Sequence, residues 1–457
     1  MHELPRPPKL TPDAMARILP HLAKAKTEIQ RYLVEANSEY LHWEKVRYHP
    51  TPAGLTPEDG WHLIHLSRLS QSRPLPLADI HGKAFGYWLS DSSLGTLHEV
   101  DRWGGGNLAV DEAAGDALVS MRDSVLISSL MDEAIATSQI EGAVTTRKVA
   151  KEMLRTKRKP RDRSEQMIVN SYRTIQLLRQ RLQEPLSLSF LLEIQESMTR
   201  DTLDNAAAAG RFRIEGEDIA VVDSRVNEVV YVPPPADLLS ERMNKLIAFA
   251  NAPRDAHDFI HPLVKAAILH FWLAYEHPFV DGNGRTARAL FFWFMLKNGY
   301  WLFEFLTISR VIVAAPMQYY RSFLYSEHDE NDLTYSIVFQ LRATQRALTQ
   351  LREYLTRKQR EQQAMTIALR RFPDLNPRQR TLLDSALKHP DEVFTFQGHQ
   401  NAHGITYLTA RSDLLDLAKR GLLTETKRGR QRAFLSAADL NERLGTEATK
   451  KKRGKSR

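Results

Sequence analysis

The sequence predicts a mainly α-helical protein with one β-hairpin in its middle and a small α+β unit towards its C-terminal end. Three observations carry this reading. Between about 111 and 355, apolar residues recur at spacings of three and four, as in Ile168-Tyr172-Ile175-Leu178 and Leu269-Trp272-Leu273, which lines them along one face of a helix. One stretch breaks that texture: β-branched runs at 218–222 and 228–232 flank Asp223-Ser-Arg-Val-Asn227 and end in Pro233-Pro234-Pro235, the signature of a hairpin closed by proline. Beyond Pro373 and Pro377, short helical segments give way to a basic strand pair ending at Ala433-Phe-Leu435.

In chain order, residues 1–110 combine an expected amphipathic helix, Asp13 to Val46, with a stretch rich in Pro, Gly, His and Trp that ends at Gly104-Gly105-Gly106. Residues 111–360 form the expected helical core, which closes with a highly charged helical hairpin from Leu341 to Arg371. Residues 361–440 read as a first helix at Leu375 to Leu383, a recognition-type helix from Thr406 to Ala418 entered by Thr409, and a basic β-wing. That order resembles a winged helix-turn-helix. The tail, 441–457, is a run of charge expected to be disordered.

Composition narrows the chemistry. The 457 residues are 42% hydrophobic and 26% charged, ordinary values for a globular protein, and none is cysteine. Thiol nucleophiles, thiolate metal sites and disulfides are excluded. The longest apolar run, Ala289 to Leu296, has eight residues, whereas a membrane span needs about twenty. The opening MHELPRPPKLTPD lacks the apolar stretch of a secretory signal, so a cytoplasmic protein without membrane partners is expected. The formal charge of +8 is unevenly placed: from Lys419 onward thirteen Lys or Arg face four Asp or Glu, which leaves the other 418 residues at −1. Nucleic-acid contacts therefore belong at the C-terminal end. The candidates there are Arg411, Lys427, Arg428, Arg430 and Arg432, with DNA or a protein as the partner.

The chemistry concentrates in His277-Pro-Phe-Val-Asp-Gly-Asn-Gly-Arg-Thr-Ala-Arg288. One apolar helix, Pro262 to Tyr275, runs up to it and another, Thr286 to Lys297, leaves it, so Gly282-Asn283-Gly284 is a tight turn at a helix N-terminus. Unpaired N–H groups and the helix dipole attract an anion there, and glycines allow close approach. Arg285 and Arg288, three apart, are expected on one face as a polyphosphate clamp. Asp281 is placed to hold Mg²⁺ between two phosphates, and His277 to act as a base on a hydroxyl. Phe279 is expected to turn inward and anchor the loop. His257 and His261 stand four apart, but with His270 they offer no third ligand at a persuasive spacing for zinc, and the aromatic residues from Phe271 to Phe305 read as core.

This stretch resembles the motif of the Fic family, His-x-Phe-x-Asp/Glu-Gly-Asn-Gly-Arg-x-x-Arg, at every specified position. The resemblance runs from about Val110 to Leu355 and includes Arg211-Phe-Arg, the proline-closed hairpin, Tyr319-Tyr-Arg-Ser-Phe and Asn331-Asp-Leu-Thr334. One departure is Glu276, where an apolar residue is expected. The resemblance implies a Fic-type helical bundle with the hairpin as a flap near 218–232 that docks a target segment. It implies transfer of AMP from ATP to a Ser, Thr or Tyr hydroxyl of a target protein, self-modification included. His277 is the implied base and Asp281 the implied Mg²⁺ ligand. Gly282, Asn283, Gly284 and Arg285 would cradle the α- and β-phosphates, and Arg288 would hold the γ-phosphate.

Upstream, Thr137-Ser-Gln-Ile-Glu141-Gly142 resembles the family's inhibitory helix, expected near 130–145. Thr137 and Glu141 stand one turn apart on the same face, and the resemblance pairs Glu141 with Arg288 in place of the γ-phosphate. The sequence leaves open removal of AMP rather than its addition, transfer of another nucleotide, a DNA-binding regulator whose Fic domain senses nucleotide, and a homodimer.

Overall fold

The computed structural model describes residues 4–24, 26–104, 112–217, 219–223, 228–253, 259–370, 374–388, 392–428, 431–440 and 443. The chain divides into two compact units, Met1–Arg352 and Glu353–Arg457.

The first unit opens with α1 (Pro12–Lys24), α2 (Lys26–Ser38), the single turn α3 (Trp43–Val46) and α4 (Pro57–Leu69). The one long helix expected from Asp13 to Val46 is thus broken: Tyr40 turns the chain at φ +48°, a conformation that ends a helix. Hairpin β1 (Arg73–Ala78) and β2 (Ala84–Tyr87) and helix α5 (Asp91–Gly104) follow. Residues 4–104 are not set apart from the core near 110 as expected. Tyr40 donates to Asp332 at 2.6 Å, and buried Arg68 donates to Tyr335 at 2.8 Å and Asn37 at 2.8 Å.

Next come α6 (Glu112–Ile140), α7 (Arg147–Thr156), α8 (Arg163–Gln180) and α9 (Leu188–Thr199), then hairpin β3 (Val221–Asp223) and β4 (Glu228–Tyr231) and α10 (Leu239–Asn251). At the centre lie α11 (Pro262–Glu276) and α12 (Asn283–Lys297), packed against each other. Leu263, Val264, Ile268, Leu269, Phe271 and Leu273 are fully buried. A helix apolar all round belongs in the interior, and this one positions the site. α13 (Ile308–Ala314) and α14 (Pro316–His328) lead to α15 (Thr334–Arg370). In place of the helical hairpin expected over 341–371, the chain runs in this single helix as far as Arg370, since neither glycine nor proline interrupts 334–370.

The second unit continues with α16 (Pro377–Lys388), β5 (Phe394–Thr395), α17 (Phe396–His403), α18 (Tyr407–Lys419), β6 (Leu423–Arg428) and β7 (Gln431–Ser436). Its antiparallel sheet has the order β5-β7-β6. Leu383, Leu414, Leu417, Leu422 and Phe434 form its buried core. Helix α18 is capped by Thr406, whose Oγ1 accepts from Thr409 N at 3.2 Å, so Thr409 lies inside the helix rather than at its entry. Of the expected basic tail only Arg443 lies within the described residues.

Candidate active site

Helix α11 ends at Glu276, and His277 caps it in the left-handed region at φ 46°, ψ 55°. A side chain there costs about 1–2 kcal/mol, so other contacts must hold it. Arg213 supplies several: Nε donates to His277 O at 2.9 Å, Nη2 bonds Pro234 O, and its own N–H reaches Pro278 O at 2.9 Å. Tyr231 on β4 donates to Tyr275 O at 2.7 Å. His277 Nδ1 faces Ala274 O at 3.1 Å. A carbonyl only accepts, so Nδ1 carries the proton and Nε2 keeps its lone pair. Burial pushes the His277 pKa down, leaving the ring neutral near pH 7.

Phe279 is fully buried, as the sequence led us to expect. The Asn283 amide grips both its backbone groups, accepting from Phe279 N at 2.9 Å and donating to Phe279 O at 2.7 Å. The glycine turn is itself the start of α12, three residues earlier than expected, with Gly282 as N-cap at φ 87°. A Cβ on Gly282 would stand 2.7 Å from Thr199 Cγ2, so both conformation and space require glycine. Asn283 and Gly284 occupy the first turn, where backbone N–H groups have no partner within the helix.

The two arginines part company. Arg285 Nη1 donates to Met198 O at 2.9 Å, and Nη2 lies 3.2 Å from both Asp281 oxygens. Its side chain is 1% exposed, and it is not among the residues lining the cavity. The expectation that Arg285 and Arg288 form one clamp is therefore corrected: α12 is buried on all sides, so neighbours on the helix face different surroundings. Arg288 does reach the cavity. Its Nε donates to Thr137 Oγ1 at 2.7 Å, and Nη2 to Thr137 O at 3.1 Å and Glu141 Oε1 at 2.8 Å. Glu141 lies directly over Gly284, where an added Cβ would collide with its Oε1. Gly142, at φ 90°, lies in the turn that follows the end of α6 at Ile140.

These groups border a cavity of about 550 Å³, within the range of small-molecule sites. His277, Asp281, Gly282–Gly284, Arg288 and Glu141 are part of its lining. Val222 and Tyr231 of the β3–β4 hairpin, Tyr275, and Tyr320, Phe323 and Glu327 of α14 also line it. Burial lifts the Glu327 carboxyl to about 8. Sequence reasoning assigned no role to Glu327 or Tyr231, whose facing depends on tertiary packing.

Asp281 is 35% exposed on the cavity wall, and its Oδ1 accepts from Gly282 N at 2.5 Å. Among the described residues no group of three or more acids and histidines is arranged to hold a metal ion. A single carboxylate suits Mg²⁺ only when substrate phosphates complete the shell, and Asp281 fits that pattern.

His257 lies outside the described residues, as does Arg430. His261 caps α11 and bonds Asp101 at 2.9 Å, while His270 is buried between Tyr319 and Gln340. In the second unit Arg411 is exposed on α18, and Arg432 is paired with Glu425 at 2.5 and 2.6 Å. Lys427 and Arg428 lie in strand β6, opposite Arg432 and Gln431.

The Fic/DOC family pattern matches residues 185–295. A protein of Nematostella vectensis named protein adenylyltransferase Fic is 32% identical over 122 residues, 24% of this chain and 26% of that protein. Its namesake in Drosophila virilis is 37% identical over 70 residues, 15% of this chain and 14% of that protein. The chain thus spans about a quarter or less of these relatives. A Fic family protein from Desulfovibrio desulfuricans G20 shares the fold, with TM-score 0.52 and 20% identity over 77% of this chain and 98% of that one. The stretch that matches the Fic/DOC family, residues 185–295, is the one that holds His277, Asp281, the glycine turn and both arginines.

Proposed function

We propose that this chain is an autoinhibited protein adenylyltransferase that moves AMP from ATP to a Ser, Thr or Tyr hydroxyl of a target protein. The observation that carries the reading is the neutral His277, its bare Nε2 beside a glycine turn at a helix N-terminus in a nucleotide-sized cavity. The names of the curated relatives support the same activity.

In this reading the target hydroxyl gives its proton to His277 Nε2 as its oxygen bonds the α-phosphorus. The bond from that phosphorus to the β-bridging oxygen breaks, and pyrophosphate leaves with the electron pair. N–H groups of the first turn of α12 stabilise the charge on the phosphates, the usual source of most of the rate in such transfers. Asp281 would hold Mg²⁺, which neutralises phosphate charge when bound. Arg285 takes a supporting part, orienting Asp281 rather than touching phosphate. Glu141 acts as the brake, because its ion pair with Arg288 fills the position a γ-phosphate needs. The β3–β4 hairpin, which lines the cavity and leaves Val222 and Val229 exposed, would take a target segment by strand addition.

The test uses α-labelled ATP and a lysate with wild type, Glu141→Gly and Glu141→Gly/His277→Ala. Label on protein in the single variant alone supports both transfer and brake. No label in any lane refutes the reading and favours AMP removal, in which Glu141 orients a water beside His277, or another nucleotide donor.

The second unit is read as a winged helix-turn-helix, supported by its order helix, strand, helix, helix, strand, strand. A role for it on DNA predicts binding that survives His277→Ala and is lost when Arg428, Arg430 and Arg432 are replaced. Among the described residues no helix is long and apolar enough to cross a membrane; a cytoplasmic location belongs to the proposal.

A further inference from the structure

Glu276, the residue before His277, is fully buried. Its Oε2 accepts from Arg242 Nε on α10 at 2.6 Å. The same guanidinium donates through Nη2 to the Ala78 carbonyl at the end of β1, at 2.5 Å. A carboxylate removed from water needs such a partner, and this partner is itself fixed to the N-terminal hairpin. The hairpin reaches α11 a second way: Phe85 of β2, fully buried, packs on Phe271 and Tyr275 with ring centroids 5.4 and 5.1 Å away. It also holds the connection that follows α14, since Gly86 N donates to Asn331 O at 3.1 Å and Leu333 N to Gly86 O at 2.8 Å. Hairpin β1–β2 therefore touches the last turns of α11, which end in His277, and the exit of α14, which carries a cavity wall.

We propose that the β1–β2 hairpin is a brace for the catalytic histidine, with Arg242 and Glu276 as positioning residues that index the last turn of α11 to the Ala78 carbonyl. This assigns a role to the N-terminal region, and it rests on the transferase reading for its kinetic test. Neither residue touches substrate. Both act through the angle at which His277 Nε2 enters the cavity, and a misplacement of about 1 Å can slow such chemistry about a hundredfold.

The experiment is made in the full chain carrying Glu141→Gly. Single changes leave a buried unpaired charge and can unfold the protein, so the deciding variant is Arg242→Leu/Glu276→Leu, which replaces the ion pair by apolar groups of similar size. The expected result is a kcat at least about tenfold lower, with KM for ATP within about twofold and a Tm close to the parent's. A kcat within about twofold of the parent overturns the proposal, since the pair then only fills space. NMR titration of His277 in the wild-type background gives a readout independent of activity. Burial is the largest cause lowering its pKa, so a loosened ring, still facing Glu141, Arg213 and Asp281, should hydrate and titrate at higher pH. An unchanged titration overturns the brace. If the Glu141→Gly parent transfers nothing, the transferase reading fails and the titration alone decides.

Discussion

Glu141 and Arg288, 147 positions apart in the chain, meet at 2.8 Å between Oε1 and Nη2, with the carboxylate lying over the first turn of α12. Thr137, one helical turn before Glu141, accepts from Nε of the same arginine at 2.7 Å. The acid and the hydroxyl thus hold one guanidinium together.

Their contributions should separate by mutation. A charge-assisted hydrogen bond is worth about 1.5–3 kcal/mol, so Glu141→Gly is expected to raise protein labelling by about ten- to a hundredfold. Thr137→Val should raise it less, because the ion pair survives. Initial rates with α-labelled ATP decide the order, and a Thr137 variant more active than the Glu141 variant would contradict it.

The pH dependence of His277 has a definite sign. Burial lowers its pKa below the usual 6.5, and the negative Glu141 works in the opposite direction. A general base must be neutral, so activity should persist below pH 6.5 and fall only as pH drops through the lowered value. Removing Glu141 removes the upward influence. The His277 pKa measured by NMR should therefore be lower in Glu141→Gly than in wild type.

Glu327 should set an alkaline limit. Its carboxyl, raised by burial to about 8, is neutral at pH 7 and ionises as pH climbs past that value, placing a negative charge on the wall of a cavity built for an anion. KM for ATP is expected to rise above about pH 8, and Glu327→Gln should flatten that rise. Stability follows the same sign. The group's favourable contribution is complete below its unfolded value near 4.5 and is lost as pH rises through about 8.

Gly282 is expected to tolerate no side chain. With φ at 87° and Thr199 Cγ2 at 2.7 Å from an added Cβ, Gly282→Ala should cost about 1–2 kcal/mol from conformation alone, and more from the contact. Adding Thr199→Ser relieves the contact and should restore only part of the Tm. Full recovery would show that conformation plays no part.

How legible all this was depended on distance along the chain. His277, Asp281, the glycine turn and Arg288 fall within twelve residues, so local spacing drew attention to them, whereas Glu141 was singled out only by the resemblance of Thr137–Gly142 to an inhibitory helix. The brace was invisible: Arg242 lies 34 positions from Glu276 and 164 from Ala78, and no local pattern marks them. Glu276 itself stood out only as an acid where an apolar residue was expected. Arg285 was misplaced because a spacing of three fixes proximity on a helix but not which neighbours cover that side. The break at Tyr40 was missed because the turn uses neither glycine nor proline.

The grip of Asn283 on both backbone groups of Phe279 has a wider consequence. The loop is fixed by the protein's own hydrogen bonds, so on the proposed reading no folding step remains to be regulated there. If Glu141 is the brake proposed above, control passes to the final turn of α6 and the Gly142 bend beyond it. Fraying that one turn would release Arg288, and each tenfold gain in the released population needs only about 1.4 kcal/mol of differential binding. On that reading, even a weakly binding effector that favours the frayed turn would be enough to release the brake.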